Sequence, residues 1–423
     1  MYILYIMPPQ NIQSGLTFHG LGIAPGLLEV LAKLRYTIPT PIQYQAIPPA
    51  MEGKDVVGVA QTGTGKTLAF GIPMLQLLAR EKGKGLVLLP TRELALQVEE
   101  ELHKIGRPLG LKTAVLIGGA SMRPQLQALG RNPHIVIATP GRLIDHLEQK
   151  TVKLDSVKIL VLDEADRMLD MGFEPQLRRI FPHLPKDRQT MLFSATIPSE
   201  IMAIAAQYMK LPVRIEVALS GTTAEKVSQE IFIVRREAKL RLLEKILGEY
   251  KGSTLVFTRT KFGAKKIARV VRDMGHRSAE IHGNRSLVQR RDALDGFKSG
   301  KYRVLIATDI ASRGIDVRGI ELVVNFDLPS KSEDYVHRIG RTGRAGAEGH
   351  AISFALPEEH QEIRSIERLI RQTLRVSLPP GASPMDAVAP AVGPYAQPQR
   401  GRGQQGSRPS FGGGYHRRPR SRR

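Results

Sequence analysis

Val56-Val57-Gly58-Val59-Ala60-Gln61-Thr62-Gly63-Thr64-Gly65-Lys66-Thr67 decides the fold: an apolar strand, a glycine-rich loop, then a Lys-Thr pair that opens the helical run Leu68-Ala69-Phe70. That order builds a phosphate-binding loop, because glycines let backbone N–H groups converge on phosphate oxygens and the next helix N-terminus favours negative charge. In such a loop Thr62, Gly63, Thr64 and Gly65 line the phosphates, Lys66 reaches the β- and γ-phosphates, and Thr67 offers its hydroxyl to Mg2+. Ala60 stands where the pattern usually has its first glycine.

Outward from this loop, short apolar strands alternate with amphipathic stretches, the pattern of a parallel sheet with crossover helices. Strands are predicted at residues 56–60, 86–89, 113–117, 135–138, 159–162 and 190–193. A second alternation begins near residue 226, with a helix face at Leu240, Leu243, Ile246 and Leu247 and strands at 254–257, 279–282, 303–307, 322–325 and 351–354. The expected fold is therefore α/β, two lobes of parallel sheet flanked by helices. The expected organisation is an N-terminal extension (1–17), a first lobe (18–216), a linker (217–225), a second lobe (226–376) and a disordered basic C-terminal tail (377–423), where Pro, Gly and Arg replace apolar periodicity.

The two halves share an ordered series of strand-ending loops. Thr91-Arg92 is matched with Thr258-Arg259, Gly118-Gly119 with Gly283-Asn284, and Thr139 with Thr308. Ligands of open α/β sheets sit outside the carboxyl ends of strands, so these loops are expected to line one surface shared by both lobes.

Carboxylates and arginines complete the chemistry. The 159–162 strand runs into Asp163-Glu164-Ala165-Asp166, which puts Asp163 in position to hold Mg2+ through water and Glu164 to orient or deprotonate a hydrolytic water. In the second half, His337-Arg338-Ile339-Gly340-Arg341-Thr342-Gly343-Arg344 spaces Arg341 and Arg344 three apart. They are expected on one side of a helical turn, where guanidinium groups reach across a cleft to the γ-phosphate.

Composition narrows the partner. Sixty-two Lys and Arg against 40 Asp and Glu leave a formal charge of +22, as expected of a polyanion binder. The tail carries eight arginines and one acid, Asp386, so most of the excess lies elsewhere. Aromatics are only 5% and tryptophan is absent, which favours gripping a sugar-phosphate backbone over an extensive base-stacking platform. With no cysteine, disulfides and thiolate metal sites are excluded. No apolar run reaches the roughly 20 residues of a membrane span. The apolar opening at 1–7 lacks a basic leader and meets Pro8-Pro9, a poor signal peptide. The expectation is a cytoplasmic protein without a membrane partner, and a monomer.

From residue 18 to 375 the sequence resembles the DEAD-box ATP-dependent RNA helicases of superfamily 2, of bacterial type. The resemblance implies two RecA-like lobes, ATP and Mg2+ as ligands, and RNA, single-stranded or in short duplexes, as substrate. Pro39-Thr40-Pro41-Ile42-Gln43 matches the family's glutamine motif, implying that Gln43 reads adenine, Tyr36 stacks on it, and Phe18 is the upstream aromatic; Arg35 replaces the usual glycine. Pro90-Thr91-Arg92-Glu93-Leu94, Gly118-Gly119 and Thr139-Pro140-Gly141-Arg142 match its first-lobe RNA contacts. In the second lobe Arg259, Gly283, Thr308 and Asp309 are the corresponding RNA-facing positions, with Asp316 at the ribose. Gln289-Arg290 resembles a further RNA-contacting motif, with Asp292 where that motif has arginine. Ser194-Ala195-Thr196 and His337 fall where the family couples hydrolysis to unwinding. An ATP-dependent RNA clamp or assembly scaffold without unwinding, and a DNA-directed motor, are the rival readings. Ribosomal precursors or RNA-decay complexes are the partners that the resemblance suggests.

Overall fold

The computed structural model describes residues 16–61, 63–217, 227–309, 317, 319–343 and 349–377. Two seven-stranded sheets form, and every strand pair in both is parallel. The first contains β1 (Val56–Val59), β2 (Lys84–Leu88), β3 (Thr113–Leu116), β4 (Ile135–Ala138), β5 (Val157–Leu162), β6 (Gln189–Ser194) and β7 (Val213–Glu216). The second contains β8 (Val227–Ile233), β9 (Thr254–Phe257), β10 (Ser278–Ile281), β11 (Val304–Ala307), β12 (Leu322–Asn325), β13 (Gly349–Ala355) and β14 (Arg375–Val376). Central strands such as Ile135-Val136-Ile137-Ala138 and Val304-Leu305-Ile306-Ala307 are buried on both faces, which is why they read as unbroken apolar runs.

The strand orders are β3-β4-β2-β5-β6-β1-β7 and β10-β11-β9-β12-β13-β8-β14. Numbered from its own first strand, the second sheet has the same order as the first, so the lobes are a structural duplication. Crossing bonds fix the register. Thr139 N–H donates to Leu116 O at 3.0 Å and Thr308 N–H to Ile281 O at 3.2 Å, which makes those threonines equivalent and with them Gly118 and Gly283. The matching of Thr91 with Thr258 needs correction. Leu89 N–H donates to Ala138 O and Thr258 N–H to Ala307 O, both at 3.0 Å, so Thr258 corresponds to Leu89. Thr91 corresponds to Thr260, and each accepts a backbone N–H as the N-cap of the next helix, Thr91 from Leu94 and Thr260 from Gly263.

Three strands carry no strong sequence signal: β7 and β14 lie at sheet edges with half-polar residues, and β8 begins Val-Ser-Gln-Glu before turning apolar. On the helix Lys239–Glu249 the core face is Leu242, Leu243, Ile246 and Leu247, with Leu240 only half-buried. Apart from Val217, whose N–H bonds to Val59 O at 3.1 Å, and Ser377, whose N–H bonds to Ile231 O at 2.9 Å, the expected linker and tail lie outside the described residues, as do all but the last two residues of the N-terminal extension. No helix among those described is long and apolar enough to cross a membrane.

Candidate active site

Parallel strands bring all their carboxyl ends to one edge, and the phosphate loop leaves β1 there. Gly63 and Gly65 have φ of +85° and +90°, conformations open to glycine, and a Cβ on Gly65 would collide with the Gln43 amide. Gln43, buried at 3%, accepts the Thr40 N–H at 3.0 Å and donates to Gly65 O at 3.0 Å, so it fastens the Pro41–Met51 helix to the loop. Thr64 donates to Gln61 O at 2.7 Å across the turn. Lys66 and Thr67 open the helix Lys66–Arg80, and Thr67 is half-buried.

The Lys66 ammonium is buried and has no hydrogen-bond partner among the described residues. A desolvated cation costs several kcal/mol, so this position is built for an anion. Three carboxylates face it. Asp163 directly follows β5, and burial pushes its carboxyl up to about 6, while Lys66 and the Glu164 N–H (2.9 Å) pull the other way. Glu164 sits at φ +52°, a left-handed conformation rare for a side chain of its size. Burial would raise the Glu164 carboxyl, but Arg167 (2.7 Å), Lys66 and Arg341 outweigh it and hold it below the ordinary value. Asp166 is likewise held down against burial by Lys66, the Thr196 N–H, His337 and Arg167.

Asp166 also ties the site to the Ser194-Ala195-Thr196 segment. Its Oδ2 accepts the N–H groups of Ala195 and Thr196 at 3.1 and 2.9 Å and the Thr196 hydroxyl at 3.0 Å, while its own N–H donates to Ser194 Oγ at 3.2 Å. The second lobe meets this cluster: Arg341 acts on Glu164 and His337 on Asp166. Arg341 lies in the turn that continues the helix Ser332–Ile339, its N–H on Arg338 O at 3.1 Å. Two further ion pairs cross between lobes, Arg290 with Glu93 at 3.0 Å, nearly buried, and Lys331 with Asp170 at 2.5 Å, exposed.

Sequence reading missed Arg338, the side chain that organises the second-lobe side. It is 2% exposed and grips Asp309 through Nε (2.5 Å) and Nη2 (2.7 Å), with Nη1 on Asn325 Oδ1 (3.1 Å) and Asp327 O (2.6 Å). It lies between the predicted His337 and Arg341, but nothing in its neighbours marks it as buried. Arg167, 1% exposed against Glu164, was missed for the same reason.

The first-lobe loops expected at RNA form one connected face. Thr91 and Pro90 are buried, and the Arg92 guanidinium lies where a Cβ on Gly119 (φ +68°) would be, so a side chain there would be strained and would displace Arg92. Thr139 and Pro140 are buried at the start of their helix, Gly141 faces open space, and Arg142 Nη1 donates to Ala120 O at 3.0 Å. Opposite, Gly283 is open and Arg259 is half exposed, its Nη2 on Leu328 O (3.2 Å) and Glu359 (3.0 Å). Thr308 and Asp309 are half-buried, Asp309 within the Arg338 grip. Arg290 points at Glu93 of the first lobe. Tyr36 is half-buried with its hydroxyl on Glu101, and Phe18 is core, 4% exposed. Thr62, Asp316 and Arg344 lie outside the described residues. A cavity of about 890 Å³ lined by Asp55, Lys158, Arg188 and Val213 opens at the amino ends of the first sheet, the wrong edge for this chemistry.

The fold and site together define a two-lobe, nucleotide-driven motor. Comparison with known proteins narrows this. The DEAD/DEAH box helicase family matches residues 40–204, and the helicase conserved C-terminal domain matches 238–346. ATP-dependent RNA helicase DbpA of Bacillus subtilis is 44% identical over 356 residues, 84% of this chain and 74% of its own length. Dbp5 of S. cerevisiae, bound to RNA and ADP BeF3, superposes with a TM-score of 0.77 at 30% identity, over 86% of this chain and 96% of that one. A DEAD box protein from Methanococcus jannaschii is 38% identical but scores 0.51, over 86% and 99%. This chain belongs to the DEAD-box ATP-dependent RNA helicases, and its two sheets are their tandem RecA-like lobes.

Proposed function

We propose that this protein is an RNA-stimulated ATP hydrolase that grips the RNA backbone without sequence preference and, by closing its lobes, separates short duplexes or strips RNA–protein contacts. The observation that carries it is the buried, unpartnered Lys66 ammonium beside Asp163 and Glu164, with Arg341 of the other lobe acting on Glu164. Neither half holds the complete set. Residues 18–216 and 226–376 are the two working lobes, joined by 217–225 and followed by a basic tail from 377 that adds salt-sensitive RNA affinity.

In this reading the phosphate loop, including Thr62, holds the triphosphate and Lys66 neutralises its β- and γ-oxygens. Gln43 reads adenine, Tyr36 stacks on it, and Asp316 takes the ribose. Phe18 contributes by packing beneath the motif. Mg2+ fits the donor set of one hydroxyl, Thr67, and one carboxylate, Asp163, and would offset phosphate charge there. Glu164, kept ionised by its cationic neighbours, orients the attacking water, and Arg341 with Arg344 stabilises charge as it develops. Hydrolysis is transmitted through Asp166 to Ser194 and Thr196 and across the seam to His337.

The better superposition on the RNA- and nucleotide-bound relative than on a more identical one supports a closed arrangement of lobes. Pro90, Thr91, Arg92, Gly118, Gly119, Thr139, Pro140, Gly141, Arg142, Arg259, Gly283, Thr308 and Asp309 then line one RNA path. We place the protein in the cytoplasm as a monomer acting on ribosomal precursors or RNA-decay complexes. ATPase assays with single-stranded RNA, duplex RNA and DNA in parallel test the reading: stimulation by RNA alone is expected, and stimulation by DNA with processive translocation contradicts it. Ser194→Ala with Thr196→Ala is expected to keep ATPase and lose strand separation; equal loss of both would remove the coupling role.

A further inference from the structure

Of all Phe and Tyr side chains among the described residues, only Phe262 is exposed, at 71%. Isolated apolar residues on a surface are ordinary, so its place in the fold decides whether it means anything. Phe262 is the second residue of the helix Lys261–Asp273, which leaves the carboxyl end of β9. Beside it, Lys261 spans to Asn284, in the loop after β10, with Nζ 3.1 Å from Oδ1. Because β11 lies between β9 and β10 in the sheet, this bridge passes over the end of β11, where Thr308 follows. The ring thus stands among the three second-lobe loops that carry Arg259, Gly283 and Thr308. Val288, 78% exposed, holds the same second-residue position on the helix Leu287–Lys298 after β10. That helix begins at the seam, since Leu287 packs against the first-lobe core.

Resting on the RNA-helicase reading above, we propose that Phe262 is a stacking platform for one nucleobase of the bound strand, in a surface that otherwise holds only the backbone. Lys261 Nζ lies 5.4 Å from the ring centroid and covers one face, so a base takes the other while the ammonium sits near its phosphate. Stacking accepts every base but favours purines for their larger π-face, which gives a mild local preference at one position.

The test uses the full chain, a non-hydrolysable ATP analogue and a single-stranded RNA carrying 2-aminopurine at successive positions. One position is expected to show the fluorescence quenching of a stacked base in the parent and to lose it in Phe262→Ala. Phe262→Ala should weaken RNA binding roughly 10-fold, seen as a higher RNA concentration for half-maximal ATPase rather than a lower rate at saturation. Phe262→Trp restores both signals. An abasic nucleotide at the quenched position should weaken the parent by the same factor and leave the alanine variant unaffected. Equal RNA affinity of parent and Phe262→Ala overturns the inference while leaving the RNA-helicase reading intact. So does a loss in the variant that abasic RNA fails to reproduce, which would mean that the ring supports the RNA surface without touching a base. A parent that neither binds RNA nor is stimulated by it overturns the underlying reading itself.

Discussion

The two lobes share one strand order yet treat the same position in opposite ways. Ala60 N–H bonds to Ser194 O and Val234 N–H to Ala355 O, both at 2.9 Å, and Asp163 N–H bonds to Leu88 O as Phe326 N–H does to Phe257 O. By that register Lys239, first residue of the helix after β8, stands where Lys66 stands after β1, and Phe326-Asp327 where Asp163-Glu164 stand. In the first lobe the lysine ammonium is orphaned. In the second it is satisfied within the chain, donating to Phe326 O at 2.8 Å and Asp327 Oδ1 at 3.3 Å. The loop before Lys239 is one residue shorter and has no glycine. One cradle is left open for phosphate while its duplicate has closed on itself. Duplication therefore supplied the scaffold twice and the nucleotide site once.

Exchanging the two lysines probes this contrast most strongly. Lys66→Ala should abolish ATP turnover with little change in fold stability, because relief of a desolvated ammonium that makes no hydrogen bond among the described residues offsets the loss of its field at Asp163, Glu164 and Asp166. Lys239→Met should destabilise the protein by about 2 kcal/mol through lost charge-assisted bonds and leave a single nucleotide site. Denaturant melts beside nucleotide titrations read both; a large stability loss in Lys66→Ala would mean the ammonium is satisfied after all.

Arg338 sharpens the second-lobe side. Arg338→Ala removes both bonds to the Asp309 carboxylate and those to Asn325 and Asp327, and should cost about 3–5 kcal/mol. Arg338→Lys should recover little, since an ammonium cannot reproduce a two-nitrogen grip. Full stability of the lysine variant would reduce that grip to a simple charge contact.

The smallest effect lies in the first lobe, where His146 is buried under the Gly118-Gly119 loop, Nδ1 2.8 Å from Thr151 Oγ1 and Nε2 3.4 Å from Gln125 Oε1. Burial, then Arg142, pushes its imidazole below its ordinary 6.5, with Asp145 opposing. Above that value both folded and unfolded histidine are neutral and no stability depends on it. As pH falls below it, the unfolded chain takes up a proton that the folded chain refuses, so stability drops with a slope of up to about 1.4 kcal/mol per pH unit. His276 and His282 are lowered as well and add to the trend. Asp163, raised to about 6, takes up a proton in the folded chain over the same range and opposes the trend. The measurable quantity is therefore a difference: in melts between pH 7 and 5, His146→Gln should lose stability less steeply, or gain it more steeply, than the parent, and an unchanged slope would remove His146 as a contributor.

How far the sequence could be read follows from where information is local. Central strands were legible because burial on both faces leaves unbroken apolar runs, and the phosphate loop because its glycines and lysine are contiguous. Edge strands β7 and β14 were not, since they need little hydrophobicity to pair, nor was β8, which lies between β13 and β14 but opens with Ser-Gln-Glu after its first valine. Thr258 was matched to the wrong threonine because Thr258 and Thr260 both follow β9, and only backbone pairing distinguishes them. Arg338, Arg167 and Lys239 stayed hidden for a common reason: a buried, satisfied cation looks like a surface one until its distant acceptors, Asp309, Glu164 and Asp327, are placed beside it.

The central claim is that the first lobe's carboxylates cannot complete hydrolysis until the second lobe brings its arginine. Full-length Arg341→Ala, assayed at saturating RNA and ATP, should still bind nucleotide while turnover falls by roughly a thousandfold. Turnover at the parent rate in that variant would contradict the account.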